Sequence, residues 1–228
     1  MSNFNSDGSQ ESDWEDRSEL VWNEFDWERY LRQQDDTVRS YLKFYEAAKG
    51  DPLRIDTVAE KMGWGHDDWS EEADSSDDGD DEDDEDSASF EDDDVYTVHK
   101  NPIFIATKAI YLGLHQSWET LSLDGAKVPQ SVAVTLLASL NRGDEHAVQA
   151  IHALDFGDYA MAVSLFKRAM SALNGSLALL NADNALQHPN ISAWRADAVP
   201  RLFDLREIWL RVIAECREEL DRPVDEET

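Results

Sequence analysis

The chain has 228 residues, 41% of them hydrophobic, and its 50 acidic side chains outnumber the 20 basic ones to give a formal net charge of −30. This length accommodates one domain of ordinary size with extensions, and the charge disfavours direct binding of nucleic acid, whose phosphates it would repel. The single cysteine, Cys216, excludes an intramolecular disulfide and a zinc site built from cysteines.

The N-terminal residues 1–13 are small, polar and acidic, which predicts a disordered segment. They lack the basic and apolar regions of a secretory signal peptide. No apolar run in the sequence approaches the ~20 residues that cross a bilayer. We therefore expect a cytoplasmic protein that does not contact a membrane.

Residues 14–65 have the pattern of an aromatic-rich helical hairpin. Large apolar side chains recur near helical spacing between residues 22 and 45, which predicts one long helix or two helices joined around residues 34–37. Pro52 closes that segment, because proline lacks the N–H that a helix interior requires. A short second helix is predicted before Gly63. Because the hairpin is too small to be stable alone, we expect it to dock on another part of the chain or on a partner.

The tryptophans in and beside this hairpin are candidates for binding a partner. Two interpretations stay open. The rings could seal the contact between the hairpin and the rest of the chain, or they could form an exposed aromatic docking face, since tryptophan is a favoured anchor at interfaces. The candidate residues are Trp22, Trp27, Trp64 and Trp69.

Residues 67–94, which we call the acidic tract, contain 18 Asp or Glu residues among 28 and no Lys or Arg. Like charges at this density repel one another and little apolar surface is available for burial, so a disordered linker with an extended lead-in is predicted over residues 66–100. The tract is either a solvating spacer or an element that attracts a basic partner. Its central carboxylates are further candidates for binding that partner: Asp80, Asp81, Asp83 and Asp84.

Residues 101–222 contain four helix-length apolar patterns, which predict an all-α fold with an antiparallel up–down four-helix bundle. The first pattern begins at Asn101, the second at Pro129 and the third at Tyr159, and the third ends before Pro189. We expect the fourth helix to begin at Pro200, since proline is favoured in the first helical turn. A disordered tail is predicted over residues 223–228.

A short stretch of the third pattern resembles the second helix of a tetratricopeptide repeat. The resemblance rests on Gly157-Asp158-Tyr159 followed by small and large apolar residues at the intervals of that repeat, namely Ala162, Phe166 and Ala169. Asn174 stands where the repeat has proline, and no second copy occurs one period away. The resemblance implies that the second and third helices pack as an antiparallel hairpin.

A few side chains of the predicted bundle are candidate metal ligands, because four-helix bundles can host paired metals. The Glu-x-x-His motif of di-iron bundles does not occur in the sequence. We therefore expect neither a metal nor a cofactor. The weak candidates are His115, Glu119, Glu145, His146 and Glu207.

The functional expectation is a non-enzymatic protein–protein interaction module whose acidic tract attracts a basic partner. Basic residues are few, and those of the fourth helix alternate with acidic ones, a pattern typical of a solvated face. Two alternatives stay open: a metal-dependent enzyme built in the bundle, and a nucleic-acid mimic that blocks a DNA-binding protein. The oligomeric state is left open.

Overall fold

The computed structural model describes residues 22–65, 97–182 and 188–222. All regular structure in these ranges is helical, which confirms the predicted all-α class for this part of the chain. The helices are α1 (Glu24–Ala47), α2 (Arg54–Lys61), a 3-10 turn (Val98–Lys100), α3 (Pro102–Ser122), α4 (Gln130–Asp155), α5 (Tyr159–Leu180) and α6 (Pro189–Asp221). Over the same ranges, none of the helices has the length and apolar character needed to cross a membrane.

Several predictions concern residues outside these ranges. They are the disordered N-terminus, the acidic tract and the C-terminal tail. The same holds for one tryptophan and four carboxylates among the candidate partner-binding residues, which are Trp69, Asp80, Asp81, Asp83 and Asp84. The linker's last described residues form the 3-10 turn, and Val98 of this turn is buried in the core.

The chain divides into two compact units between Thr37 and Val38, within the single helix α1. In the first unit, the side chain of Asn23 accepts hydrogen bonds from the backbone N–H groups at the start of α1, which is a typical helix cap. Trp22 and Trp27 pack edge to face with ring centroids 4.9 Å apart, and both lie within 6.0 Å of Tyr30. These three rings form a small aromatic cluster.

In the second unit, the helices α3 to α6 surround the main core. α4 packs against α3 and α5, and α6 packs against α5 and α3. Three tryptophans lie in this core, and each indole N–H donates to an oxygen, as buried indoles usually do. The pairs are Trp118 with the carbonyl of Ala133 (3.2 Å), Trp194 with the hydroxyl of Ser117 (2.9 Å) and Trp209 with the hydroxyl of Thr107 (3.3 Å).

Small residues allow α4 and α5 to approach each other closely. The buried hydroxyl of Ser176 donates to that of Ser139 at 2.9 Å, and Ser139 in turn bonds the carbonyl of Ala172. Gly143 lies one turn after Ser139 on α4 and is beside Ala172, which lies one turn before Ser176 on α5. Later residues of α4 therefore contact earlier residues of α5. The two helices therefore run antiparallel, as the resemblance to one repeat hairpin implied.

Gly143 is also required for the packing of α3 against α4. A Cβ atom at this position would lie 2.3 Å from the hydroxyl oxygen of Tyr111, whose ring is buried. Two non-bonded heavy atoms cannot approach each other so closely, so the tyrosine fits only because residue 143 has no side chain.

The predicted start of the last helix at Pro200 is wrong, because α6 already begins at Pro189 and contains Pro200 in its interior. The preceding helix ends at Leu180, earlier than predicted. A proline inside a helix costs about 3 kcal/mol. Ile191 and Trp194, in the first turns of α6, are buried in the core, and each such side chain contributes about 1.5–3 kcal/mol. Burial of this segment therefore outweighs the proline.

Candidate functional site

The candidate site lies where α2 and the end of α1 contact α6, within the second unit. Ile55, Val58 and Ala59 form the buried face of the short helix α2. The long helix α6, of 33 residues, supplies the buried apolar residues on the opposite side of this contact. The contact has two parts, a set of ion pairs made by two buried arginines and an open groove.

The ion pairs centre on Asp204 and Arg201, which lie one turn apart on α6. One oxygen of Asp204 accepts a hydrogen bond from the hydroxyl of Tyr45 at 2.5 Å and another from Nε of Arg54 at 2.8 Å. The Arg54 guanidinium lies 4.0 Å above the Tyr45 ring, a cation–π contact. Burial, and then the charge of Asp204, raise the pKa of Tyr45, so its hydroxyl stays protonated and continues to donate.

Arg201 makes the second half of this set. Its guanidinium binds both carboxylate oxygens of Glu46, at 2.5 and 2.9 Å, and its Nε donates to Asp197 at 2.8 Å. Lys49 also binds Asp197. Burial alone would raise the pKa of the Asp197 carboxyl, but Lys49 and Arg201 together hold it below its usual range. We call Tyr45, Glu46, Arg54, Asp197, Arg201 and Asp204 the ion-pair cluster.

The fit of the ion-pair cluster depends on a glycine of α3. A Cβ atom on Gly113 would lie 2.8 Å from Nη1 of Arg201 and 3.0 Å from Cδ1 of Leu42. The guanidinium occupies the space that a side chain on α3 would otherwise take. Three elements therefore meet at Arg201, which is only 5% exposed.

The expectation of a solvated, mixed-sign face on the last helix is wrong for Asp204. Its carboxylate is 23% exposed and bonds a buried arginine. No local pattern predicts this pairing, because Arg54 lies 150 residues away in the chain. For Arg211 and Glu207, which are about half exposed, the expectation agrees with the structure.

The second part of the contact is a groove of about 360 Å³ between α2 and α6. Buried aliphatic side chains form its floor: Ile55, Ala59, Ile208 and Val212. Trp64, one of the predicted partner-binding residues, lines it together with Gly65. The indole stacks on the buried ring of Tyr41 with centroids 5.6 Å apart. The remaining lining residues are charged: Asp56, Glu60, Arg211 and Glu215.

One salt bridge spans the groove's two helices. Arg211 of α6 donates to both oxygens of Asp56 on α2, at 2.5 and 3.3 Å, and its Nε donates to Glu207 at 3.2 Å. The hydrogen bond to Asp56 is the main reason why the pKa of Arg211 is raised. Both partners are nearly half exposed, so this bridge is a surface pair. The charged lining residues are three carboxylates and one guanidinium, which give the groove's edge a net negative charge.

The candidate partner-binding tryptophans are distributed over the molecule. Trp22 and Trp27 belong to the first unit, where the Trp27 side chain is 42% exposed. Trp64 belongs to the second unit and is the candidate that lines the groove. Sequence reasoning singled out this tryptophan but missed Ile208 and Val212, because their spacing on α6 matched that of ordinary core residues.

Three of the candidate metal ligands, His115, Glu145 and Glu207, make other contacts. His115 stacks on Tyr111 with centroids 5.9 Å apart, and burial lowers its pKa although Asp144 and Glu119 oppose the shift. Glu145 and Glu207 accept hydrogen bonds from residues on their own helices. Nδ1 of His146 is buried and has no hydrogen-bond partner in the described ranges. Within residues 22–65, 97–182 and 188–222, no three His, Cys, Asp or Glu residues lie close enough to hold a metal ion.

No protein-family model, curated protein or solved structure matches this chain. Function is therefore inferred from the chemistry of the groove and of the acidic tract. An apolar floor with one aromatic wall and a charged edge is the composition of sites that bind an amphipathic surface.

Proposed function

We propose that the protein is a non-enzymatic interaction module of the cytoplasm, in which a helical body carries an acidic tract that attracts a basic protein partner. In this proposal α3 to α6 form an antiparallel up–down four-helix bundle, and the acidic tract is a disordered linker between α2 and that bundle. The single cysteine of the sequence, Cys216, is buried in the core, which is consistent with a reducing compartment.

The observation that carries the proposal is the concentration of charge in one segment. The tract provides 18 of the 30 net negative charges and contains no cation that could neutralise them locally. Such a segment raises the local concentration of cationic partners and speeds their association, while contributing less to the specificity of the final complex. The helical body would supply that specificity.

The test is affinity capture from a lysate of the native cell at graded salt, followed by identification of the bound proteins. Three full-length baits are compared: the natural chain, a variant with Asn and Gln at every Asp and Glu of the tract, and a variant with the tract's residues in shuffled order. We expect the natural and shuffled baits to retain the same basic proteins and the neutral bait to lose them. Capture should fall as salt rises, since the Debye length is only ~8 Å at physiological strength.

Partners that bind the neutral bait equally well, at all salt concentrations, would contradict the proposal. Adding duplex DNA to the captured complexes gives a further distinction. Release of the partner by DNA would show that the tract imitates nucleic acid and occupies a DNA-binding surface. Retention of the partner would show that the tract does not occupy a DNA-binding surface.

A further inference from the structure

We infer that the groove between α2 and α6 binds a basic amphipathic helix of the partner, with its apolar side chains on the groove floor and its lysines or arginines beside the acidic edge. This inference rests on the proposed function and identifies the surface that gives it specificity. The residues that line the groove all belong to the second unit.

The composition of the floor favours an apolar ligand surface. Ile55, Ala59, Ile208 and Val212 are each buried to more than nine-tenths, yet they still border about 360 Å³ of open space. Trp64 stacks on Tyr41, so the indole needs little further ordering when a ligand packs against it. A large aromatic side chain beside an aliphatic floor is typical of the anchor sites in protein interfaces.

The dimensions of the groove favour a helix over a single side chain. On α6 the lining runs from Ile208 to Glu215, a rise of about 10 Å at 1.5 Å per residue. That length corresponds to two helical turns of a bound segment. Two or three apolar residues at positions i, i+3 or i+4, and i+7 of a partner helix would therefore face the floor together.

The net negative charge of the groove's edge favours a positively charged partner. Arg211 is engaged by Asp56 and Glu207, so it offers little repulsion to a cation. Glu60 and Glu215 are exposed on opposite helices of the groove. In the sequence, the acidic tract begins at residue 67, three positions after Trp64. An acidic helix would be repelled and a basic one attracted.

The ion-pair cluster makes the groove a preformed site. Arg54 begins α2 and bonds Asp204 of α6 directly before the groove, so the two helices are connected at that end by partly buried, charge-assisted hydrogen bonds. A groove with walls that are already ordered loses less entropy when it binds.

The inference is tested by titrating synthetic peptides into the full-length protein by calorimetry. The probe is a peptide of about four helical turns with leucines on one face and lysines elsewhere. One control has the same composition with the leucines spread around the helix, and a second has glutamate in place of lysine. We expect the probe to bind and each control to bind at least about tenfold more weakly.

Variants of the protein locate the binding site. Glu60→Lys combined with Glu215→Lys should weaken the probe about tenfold without unfolding the protein, because both side chains are exposed. Trp64→Ala should weaken it as well, and Trp64→Phe should restore part of the loss. Glu145→Lys is the matched control, since it reverses an exposed charge on α4, which contributes nothing to the groove. It should leave the affinity near that of the natural protein.

A bait without residues 67–94 distinguishes failure of this inference from failure of the proposed function. If the probe binds that bait with unchanged affinity and still depends on Glu60 and Glu215, the groove is confirmed and the attraction by the tract is refuted. If the probe binds through the tract and ignores the groove variants, the inference is overturned and the proposed function stands. Self-association of the protein that is lost in the groove variants would also overturn it, because a second copy would then be the occupant.

Discussion

The two ends of the contact between α2 and α6 are built on opposite principles. At one end, the buried guanidinium of Arg54 bonds the partly exposed carboxylate of Asp204, and the buried Arg201 binds two carboxylates. At the other end, the aliphatic floor of the groove stays open, and the ion pair above it, Asp56 with Arg211, is nearly half exposed. Similar charged residues therefore connect the helices through buried arginines at one end and form an exposed pair at the other.

The largest effect is expected from Asp204→Ala at the closed end. The substitution leaves Arg54 buried without its carboxylate and deprives the Tyr45 hydroxyl of its acceptor. Breaking a buried ion pair from one side costs about 3–5 kcal/mol of unfolding free energy. Chemical denaturation would measure it. The control is Glu207→Ala, which removes the carboxylate of an exposed pair and should cost less than about 1 kcal/mol. Equal losses in the two variants would remove the distinction between the ends.

A smaller loss is expected from Gly113→Ala, which tests how tightly the closed end is packed. The new methyl group would lie 2.8 Å from Nη1 of Arg201, and two carboxylates restrain that guanidinium. Overpacking of this kind costs about 1–3 kcal/mol. Gly125→Ala is the matched control, because nothing lies within 4 Å of a Cβ atom there. If both variants are as stable as the natural protein, the closed end tolerates movement that its geometry does not indicate.

Acid should weaken the closed end through Asp197. Its pKa in the folded protein lies below its ordinary value of about 3.9. The stabilisation is therefore complete above that ordinary value and is lost as the pH falls through the lower, folded pKa. Unfolding free energy measured between pH 6 and pH 2 should decline less steeply for Asp197→Asn than for the natural chain. Lys49→Met should shift the decline to higher pH, since it removes one of the cations that lower this pKa. A decline that neither variant alters would exclude Asp197 as its source.

The smallest effect is expected from Arg211→Ala at the open end. The lost bridge to Asp56 is exposed and screened by salt, so unfolding free energy should fall by less than about 1 kcal/mol, and by less still at high salt. The same denaturation series measures it. A loss as large as that of Asp204→Ala would place this bridge with the buried pairs and would argue against an open groove.

The sequence predicted the helices far better than the contacts between them. Asn101 followed by proline marked the start of α3, and the structure places the Asn101 side chain as its cap. Apolar spacing identified the buried faces of the helices, because that periodicity is local. The start of α6 was predicted wrongly because a proline that disfavours a helix interior is visible in the sequence, whereas the burial of Ile191 and Trp194 is visible only in the structure.

The candidate site was only partly predictable for the same reason. Trp64 could be chosen from its type alone, since tryptophan is enriched at interfaces. The other wall comes from residues 208–215, roughly 150 positions later, and no local pattern distinguishes them from core residues. Partners such as Arg54 and Asp204 likewise meet only through the tertiary fold.

Three of the buried tyrosines should report, through their ultraviolet absorbance, whether the protein is folded. Burial, aided by nearby carboxylates, raises the pKa values of Tyr41, Tyr45 and Tyr111. In an alkaline titration these rings should therefore stay neutral while accessible tyrosines ionise, and their phenolate absorbance should appear only when the chain opens. Two of the three lie at the junction of α1 with α2 and the third lies between α3 and α4, so ultraviolet spectroscopy could follow the release of both regions without any added label.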